Sequence, residues 1–408
     1  MIQRESYMRQ IRDFIDRPVI KVLTGMRRSG KSVLLELIRD ELLRRGVAPE
    51  NIVFINLESL RYERLKEYHA LYEEISEKVS KVKGRLYLLL DEIQETKEWE
   101  RAVNSFRVDF DCDIYLTGSN AKLFSGELAT LLSGRYVEIK VYPLGFHEYM
   151  AFAEANPDEA GRSEKELFAS YLQFGGLPGI HQMKWESDRL LLYLQDIYNS
   201  ILLKDVVARN RVRDTALLEK IVVYLMDNIG NTFSAKTISD FLKSQGRKLS
   251  TETVYNYLAA LESACLVHRV SRYDIKGKKL LETQEKYYLT DLGIRHAVMG
   301  YREQDVAGML ENVVFLELLR RRYTVYIGKQ QEAEVDFVAE RDGERLYIQV
   351  CYLLTEENMQ REFTPLTRIQ DNFEKVVLSM NEMPGRGYEG IKHKNVIRFL
   401  LEASDSIV

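Results

Sequence analysis

Two glycines flank a short basic loop in Gly25-Met-Arg-Arg-Ser-Gly30, and Lys31 and Ser32 follow at once. A polyphosphate is held by backbone N–H groups turned inward at the positive end of a helix, and glycine lets the backbone come that close without a Cβ clash. Lys31 places a compact cation for the β- and γ-phosphates, and the Ser32 hydroxyl is suited to ligate Mg²⁺. Arg28, Ser29 and Val33 belong to the same cradle. The loop is preceded by a β-branched run, Val19 to Thr24, and followed by an amphipathic helical stretch, Ser32 to Arg45, which is the context a phosphate-binding loop needs. The chemistry expected is binding of ATP or GTP with Mg²⁺. A chance glycine turn before a helix is the plain alternative, and the order strand, loop, helix weighs against it.

A second group lies at the end of Leu86-Tyr-Leu-Leu-Leu90, a continuous apolar run that ends in Asp91-Glu92. Such a run reads as a central parallel strand, and ligands meet parallel sheets at the carboxyl ends of their strands. The pair resembles a Walker B motif, in which Asp91 holds the Mg²⁺ and Glu92 orients and deprotonates the attacking water. A further strand, Asp113 to Thr117, ends in Gly118-Ser119-Asn120. Asn120 is the candidate sensor of the γ-phosphate, with Ser119 second; the competing role for either is capping the expected helix Ala121 to Leu132. Arg135, after Ser133-Gly134, is a candidate arginine finger, although one arginine at a helix end is more often a dipole partner.

Positioning these groups requires alternating strands and helices. Asn51 to Leu57, Tyr62 to Val82, Arg85 to Leu90 and Tyr136 to Val141 supply strand, helix, strand and strand, so the expected fold class is α/β with a parallel sheet covered on both faces. The whole chain has 45% hydrophobic and 29% charged residues and a net charge of −4, which excludes a disordered chain and disfavours indiscriminate coating of nucleic acid. Cys112, Cys265 and Cys351 are far apart and odd in number, as expected of reduced thiols. No apolar run approaches the length of a membrane span and the N-terminus lacks an apolar signal segment, so the expected setting is the cytoplasm, without a membrane partner.

The ordered set GMRRSGKS, LYLLLDEIQE, YLTGSNAKLFSGELATLLSGRY, YPLGFHEY and FGGLPGI resembles the bacterial and archaeal AAA-like ATPases related to the archaeal-ATPase and STAND groups. The resemblance implies a helical lid after the core, in which a Gly-x-Pro element approaches adenine; Gly176-Leu177-Pro178 matches it and makes Pro178 a candidate base contact. It thereby favours ATP over GTP, as does the lack of an Asn-Lys-x-Asp sequence.

Farther on, Thr215 to Asn231, Ser234 to Ser244 and Ser250 to Leu266 read as helices, and Val267 to Tyr273 with Lys279 to Leu289 as a hairpin. That order resembles a winged helix-turn-helix. Between Thr232 and Thr290 ten Lys/Arg stand against six Asp/Glu, with Arg269, Arg272, Lys276, Lys278 and Lys279 clustered. Double-stranded DNA is therefore a candidate partner, and packing against the nucleotide domain is the competing role. In the last third, Ala333 to Glu340 and Arg345 to Tyr352 flank Asp342-Gly343, a favoured hairpin turn. The register sets Asp336 opposite Gln349 and Glu334 opposite Cys351, and on the other face Val335 opposite Val350, Phe337 opposite Ile348 and Ala339 opposite Leu346. With Glu311 on the helix Met309 to Arg321, this is similar to the restriction-endonuclease-like fold, whose usual signature ends in Glu-x-Lys. Here Gln349-x-Cys351 stands in its place. Gln349 could ligate Mg²⁺ through its carbonyl oxygen, but a thiol cannot replace the lysine cation, so a degenerate site formed by Glu311, Asp336 and Gln349 is expected.

The expected organisation is an ATPase core at 1–150, a helical lid at 151–213, a winged helix at 214–298 and a nuclease-like domain at 299–408. The expected activity is ATP hydrolysis that switches the later segments, with DNA, a protein or a second copy of the chain as candidate partners. The alternatives are a module that holds ATP with little turnover and an active DNA-cutting enzyme.

Overall fold

The computed structural model describes residues 2–120, 134–246, 250–331, 333–382 and 387–402. The chain divides into two compact units, Met1–Val141 with Ser263–Cys265, and Tyr142–Glu262 with Leu266–Val408.

The first unit is built on five parallel strands, β1 (Ile20–Thr24), β2 (Ile52–Asn56), β3 (Leu86–Asp91), β4 (Cys112–Gly118) and β5 (Tyr136–Lys140), in the order β2-β3-β4-β1-β5. Strand side chains alternate, so a strand covered on both faces must be apolar throughout. Leu86, Leu88 and Leu90 pack with Leu71, Ile75, Val103 and Phe106 in one cluster. Tyr87 and Leu89 pack with Leu34, Ile38, Met8 and Ile11 in the other. Because β1, β3 and β4 run parallel, with Thr24 beside Gly118 and Leu90 beside Leu116, their C-terminal ends share one edge. The stretch expected as one helix from Tyr62 to Val82 is divided into a 3₁₀ helix, Leu60–Lys66, and an α-helix, Tyr68–Val79. The break is held by the chain that follows β3: Lys97 N–H donates to Lys66 O at 2.8 Å and the Thr96 hydroxyl to Leu65 O at 2.8 Å. The expected helix Ala121 to Leu132 lies outside the described residues.

The second unit begins with the helices Phe146–Glu154, Glu164–Phe174 and Ser187–Ser200, the last running into a π-helix at Ile201–Ala208. Three helices follow at Thr215–Asp227, Ala235–Ser244 and Thr251–Ser263, then the antiparallel pair β6 (Val267–Asp274) and β7 (Lys279–Leu289). That hairpin is not closed on itself. β6 pairs in parallel with β8 (Thr324–Gln330), and the sheet continues through β9 (Ala333–Arg341), β10 (Glu344–Val350), β11 (Glu374–Ser379) and β12 (Lys392–Asn395), in the order β12-β11-β10-β9-β8-β6-β7. The boundary expected at 298/299 thus falls inside one sheet, because the edge of β6 is taken by β8. Among the described residues no helix is long and apolar enough to cross a membrane.

Candidate functional site

The phosphate loop is folded as its glycines require. Gly25 has φ 150°, and a Cβ there would stand 2.2 Å from Val141 O. Gly30, at φ 100°, opens the helix Lys31–Arg44 with no side-chain cap and no acidic residue in the first turn, so the first N–H groups are left for an anion. Arg28 adds a second left-handed turn at φ 67°. Lys31 is buried, and its ammonium donates to Gly25 O at 3.0 Å and Met26 O at 3.1 Å, folded back on the loop it would serve. Among the described residues the buried Ser29 hydroxyl has no hydrogen-bond partner, and the Ser29 carbonyl is braced by Arg4 Nη1 at 2.9 Å. Val33 is 38% exposed on the first turn. An uncapped helix start, an orphaned buried hydroxyl and an inward ammonium fit a polyphosphate with Mg²⁺.

Asp91 and Glu92 join this group. Glu92 takes the left-handed conformation, φ 52° and ψ 55°, which ends β3. Its Oε1 lies 3.8 Å from Lys31 Nζ, and Gln94 Nε2 donates to its Oε2. Asp91 is fully buried, and burial raises its carboxyl above the usual range, while hydrogen bonds from Thr117 and Ser32 act in the opposite sense. Ser32 and Asp91, the two expected Mg²⁺ ligands, are therefore in contact. The sequence reading missed Thr117. Its hydroxyl donates to Asp91 Oδ1 at 2.6 Å and accepts the Glu92 N–H at 2.8 Å, while Asn56 Nδ2 reaches Asp91 Oδ2 at 3.1 Å. The legible signal was position alone: both residues end strands at the shared edge.

Ser119 and Asn120 follow β4 at that edge, Ser119 buried and Asn120 half-buried. Arg135 does not join them. Its carbonyl accepts Ile20 N–H at 2.9 Å, and Ile20 pairs with Tyr136, so Arg135 sits where β1 and β5 begin. A five-residue strand then separates it from the phosphate loop by about 15 Å, roughly twice the reach of an arginine side chain. A finger acting on its own chain's phosphates is excluded by that distance. Pro178 belongs to the second unit, where it starts the short helix Pro178–Gln182.

In the second unit the hairpin pairs as expected from Arg341 with Glu344 to Phe337 with Ile348, around Asp342 and Gly343, both at positive φ. Farther along, the alternation expected on β9 fails. Tyr326 pairs with Val338 but Gly328 with Val335, so Asp336 and Phe337 together oppose Ile327 in a bulge. Val335 consequently packs with Val338, Tyr347 and Cys351 in one apolar cluster, rather than sharing a face with Phe337 and Ala339. Cys351 is a core thiol, pushed up to about 12 by burial. Gln349 does not offer its carbonyl oxygen outward, since Oε1 accepts Asp336 N–H at 3.4 Å. Glu311 and Asp336 are brought together, but by a residue that the sequence reading passed over: Lys286 on β7 lies 2.7 Å from Glu311 Oε1, 2.7 Å from Glu334 Oε1 and 3.8 Å from Asp336 Oδ1.

The parallel sheet and the phosphate-loop geometry give the first unit a P-loop, AAA-like α/β fold. Comparison with known proteins agrees: residues 17–150 match a family described as an AAA domain, and residues 165–305 match a domain of unknown function. An uncharacterized protein of Haemophilus influenzae is 40% identical over 402 residues, 98% of this chain and 99% of that protein. One from Methanocaldococcus jannaschii is 31% identical over 355 residues, 84% of this chain and 77% of that protein. The chain belongs to the family of these two proteins. Among solved structures, the Walker-type ATPase of Pyrococcus abyssi shares the fold with a TM-score of 0.53 at 17% identity, covering 73% of this chain and 96% of that one.

Proposed function

We propose that the chain is an ATP-hydrolysing switch whose nucleotide state controls its second unit. The observation that carries this reading is the convergence of Lys31, Ser32, Asp91 and Glu92 at one sheet edge, with Glu92 turned by its left-handed backbone beside the Lys31 ammonium. In this reading Lys31 and the loop N–H groups bind the phosphates. Ser32 and Asp91 hold the Mg²⁺, which supplies charge neutralisation, and Glu92 takes the proton of the attacking water. Asn120 senses the γ-phosphate, Pro178 contacts the adenine, and Arg135 acts on the site of a second copy of the chain. The helices Thr215–Asp227, Ala235–Ser244 and Thr251–Ser263 with the β6–β7 hairpin serve as a winged helix, whose turn offers exposed Lys276, Lys278 and Lys279 to duplex phosphates.

One observation favours a second reading, a module that holds ATP with little turnover: Gln94 Nε2 already donates to Glu92 Oε2, so one oxygen of the base is engaged. Steady-state ATPase rates with and without duplex DNA, at two salt concentrations, separate the two. The switch predicts turnover that duplex alters at low salt and not at high salt. Tight ATP binding with no turnover under any condition supports the holding module.

A further inference from the structure

Glu311 on the helix Val306–Arg320, and Glu334 and Asp336 on β9, converge from two elements on one point. An ammonium fills that point. The Lys286 side chain is 2% exposed, and its nitrogen lies within 4 Å of all three carboxylates. Tyr288, two residues farther on the same face of β7, donates its hydroxyl to the Glu311 oxygen that Lys286 also binds.

The ammonium is within hydrogen-bond distance of Glu311 and Glu334, both at 2.7 Å, and at 3.8 Å from Asp336 it adds an electrostatic contact only. A divalent cation needs the same oxygens at about 2.0–2.6 Å, so the two cannot share the position. Two neighbouring acceptors are engaged as well: Asp336 Oδ2 takes Val350 N–H at 2.8 Å, and Gln349 Oε1 accepts the Asp336 N–H at 3.4 Å. Among the described residues no group of three or more acidic, His or Cys side chains is arranged to hold a metal ion. Glu334, Asp336 and Gln349 nevertheless line an open cleft, so access from solvent is not what keeps an ion out.

We propose that Lys286 is the resident cation of this cluster, holding the place a divalent ion would take, so that the cleft binds no metal until the ammonium is removed. This rests on the second unit alone and is independent of the ATPase reading.

The test uses the full chain without nucleotide, carrying Asp91→Asn so that the phosphate-loop edge adds no metal site, and the probes are Mn²⁺ followed by electron paramagnetic resonance and Tb³⁺ luminescence. The expected result is no saturable Mn²⁺ binding in this background. Lys286→Met is expected to gain a saturable site, with Tb³⁺ emission sensitised by Tyr288, and to lose both again when Asp336→Asn is added. Mn²⁺ binding by the background protein that Asp336→Asn abolishes would overturn the proposal, as would a folded Lys286→Met that binds none. Where Lys286→Met cannot be purified, Lys286→Met with Glu334→Gln carries less uncompensated charge, and the same two outcomes decide.

Discussion

Thr117→Val is the sharpest probe of the sheet-edge geometry, because it keeps the shape of the side chain and removes one hydroxyl that serves two residues. The Thr117 hydroxyl donates to Asp91 Oδ1 at 2.6 Å and accepts Glu92 N–H at 2.8 Å. Thr117 is fully buried, so neither partner can turn to water in compensation. Leaving a buried N–H unsatisfied costs about 1–3 kcal/mol, and losing a hydrogen bond to a charged group costs about 1.5–3 kcal/mol. The first unit should therefore lose about 3–5 kcal/mol of stability, a fall in Tm on the order of 10 °C. Asp91 would also lose a hydrogen bond that opposes the upward push of burial on its carboxyl, so Mg²⁺ should bind more weakly. Glu92 would lose the acceptor that secures its left-handed backbone, and turnover should fall by about 10²-fold, some 2.7 kcal/mol of transition-state stabilisation. Turnover measured over a Mg²⁺ series, together with denaturant unfolding, reads both effects, and Thr117→Ser should retain most of the parent behaviour. A Thr117→Val protein with parent turnover and an unchanged Mg²⁺ requirement would show that the Thr117 hydroxyl sets neither Asp91 nor Glu92.

Arg135 lies about 15 Å from its own phosphate loop, so mixing Arg135→Ala with Glu92→Gln protein should recover ATPase activity if it completes a neighbour's site; no recovery removes it from the catalytic set. Replacing Lys276, Lys278 and Lys279 together by Ala should weaken duplex binding and flatten the slope of log K against log salt by about one for each phosphate no longer neutralised, while ATP affinity is unchanged. A parent protein without duplex affinity at low salt, with ATP present, ends the DNA reading. Burial pushes His296 down to about 4, against the opposing effect of the Gln173 carbonyl, which lies 2.9 Å from Nδ1. The neutral ring thus contributes stability that is present above pH 6.5 and lost as the pH falls toward 4, and the gap is worth about 3 kcal/mol. In urea unfolding the advantage of the parent over His296→Gln should shrink by that amount between pH 7 and pH 4; an advantage that is constant with pH contradicts the assignment.

Much of the first unit was legible because its signals are local. Gly25 and Gly30 announce backbone geometry that only glycine takes without strain, and the run Leu86 to Leu90 is apolar because both of its faces are covered. The Asp342-Gly343 turn likewise fixed the hairpin register near the turn. What the sequence hid depends on pairing between distant segments. Lys286 lies 25 positions from Glu311 and on a strand with its own hairpin partner, and nothing local marks it as the cation of the cluster. The bulge at Asp336–Phe337 breaks an alternation that the residue types alone support. Thr117 was read as one more strand residue, since its role comes from where β3 and β4 end relative to each other. Arg135 is a finger candidate by its place after Ser133-Gly134 and before the strand, and the pairing of Ile20 with Tyr136 sets it at the opposite end of the sheet.

In the proposed switch one sheet edge divides phosphate binding, by Lys31, from proton removal, by Glu92. The measurement that tests it most directly is ATP affinity and single-turnover hydrolysis determined on the same samples of the parent, Lys31→Ala and Glu92→Gln proteins. Lys31→Ala should lose binding, because it removes the buried ammonium that the loop now holds at 3.0 and 3.1 Å. Glu92→Gln should bind ATP as the parent does and lose turnover by about 10²-fold or more. Hydrolysis by Glu92→Gln at the parent rate would contradict the account.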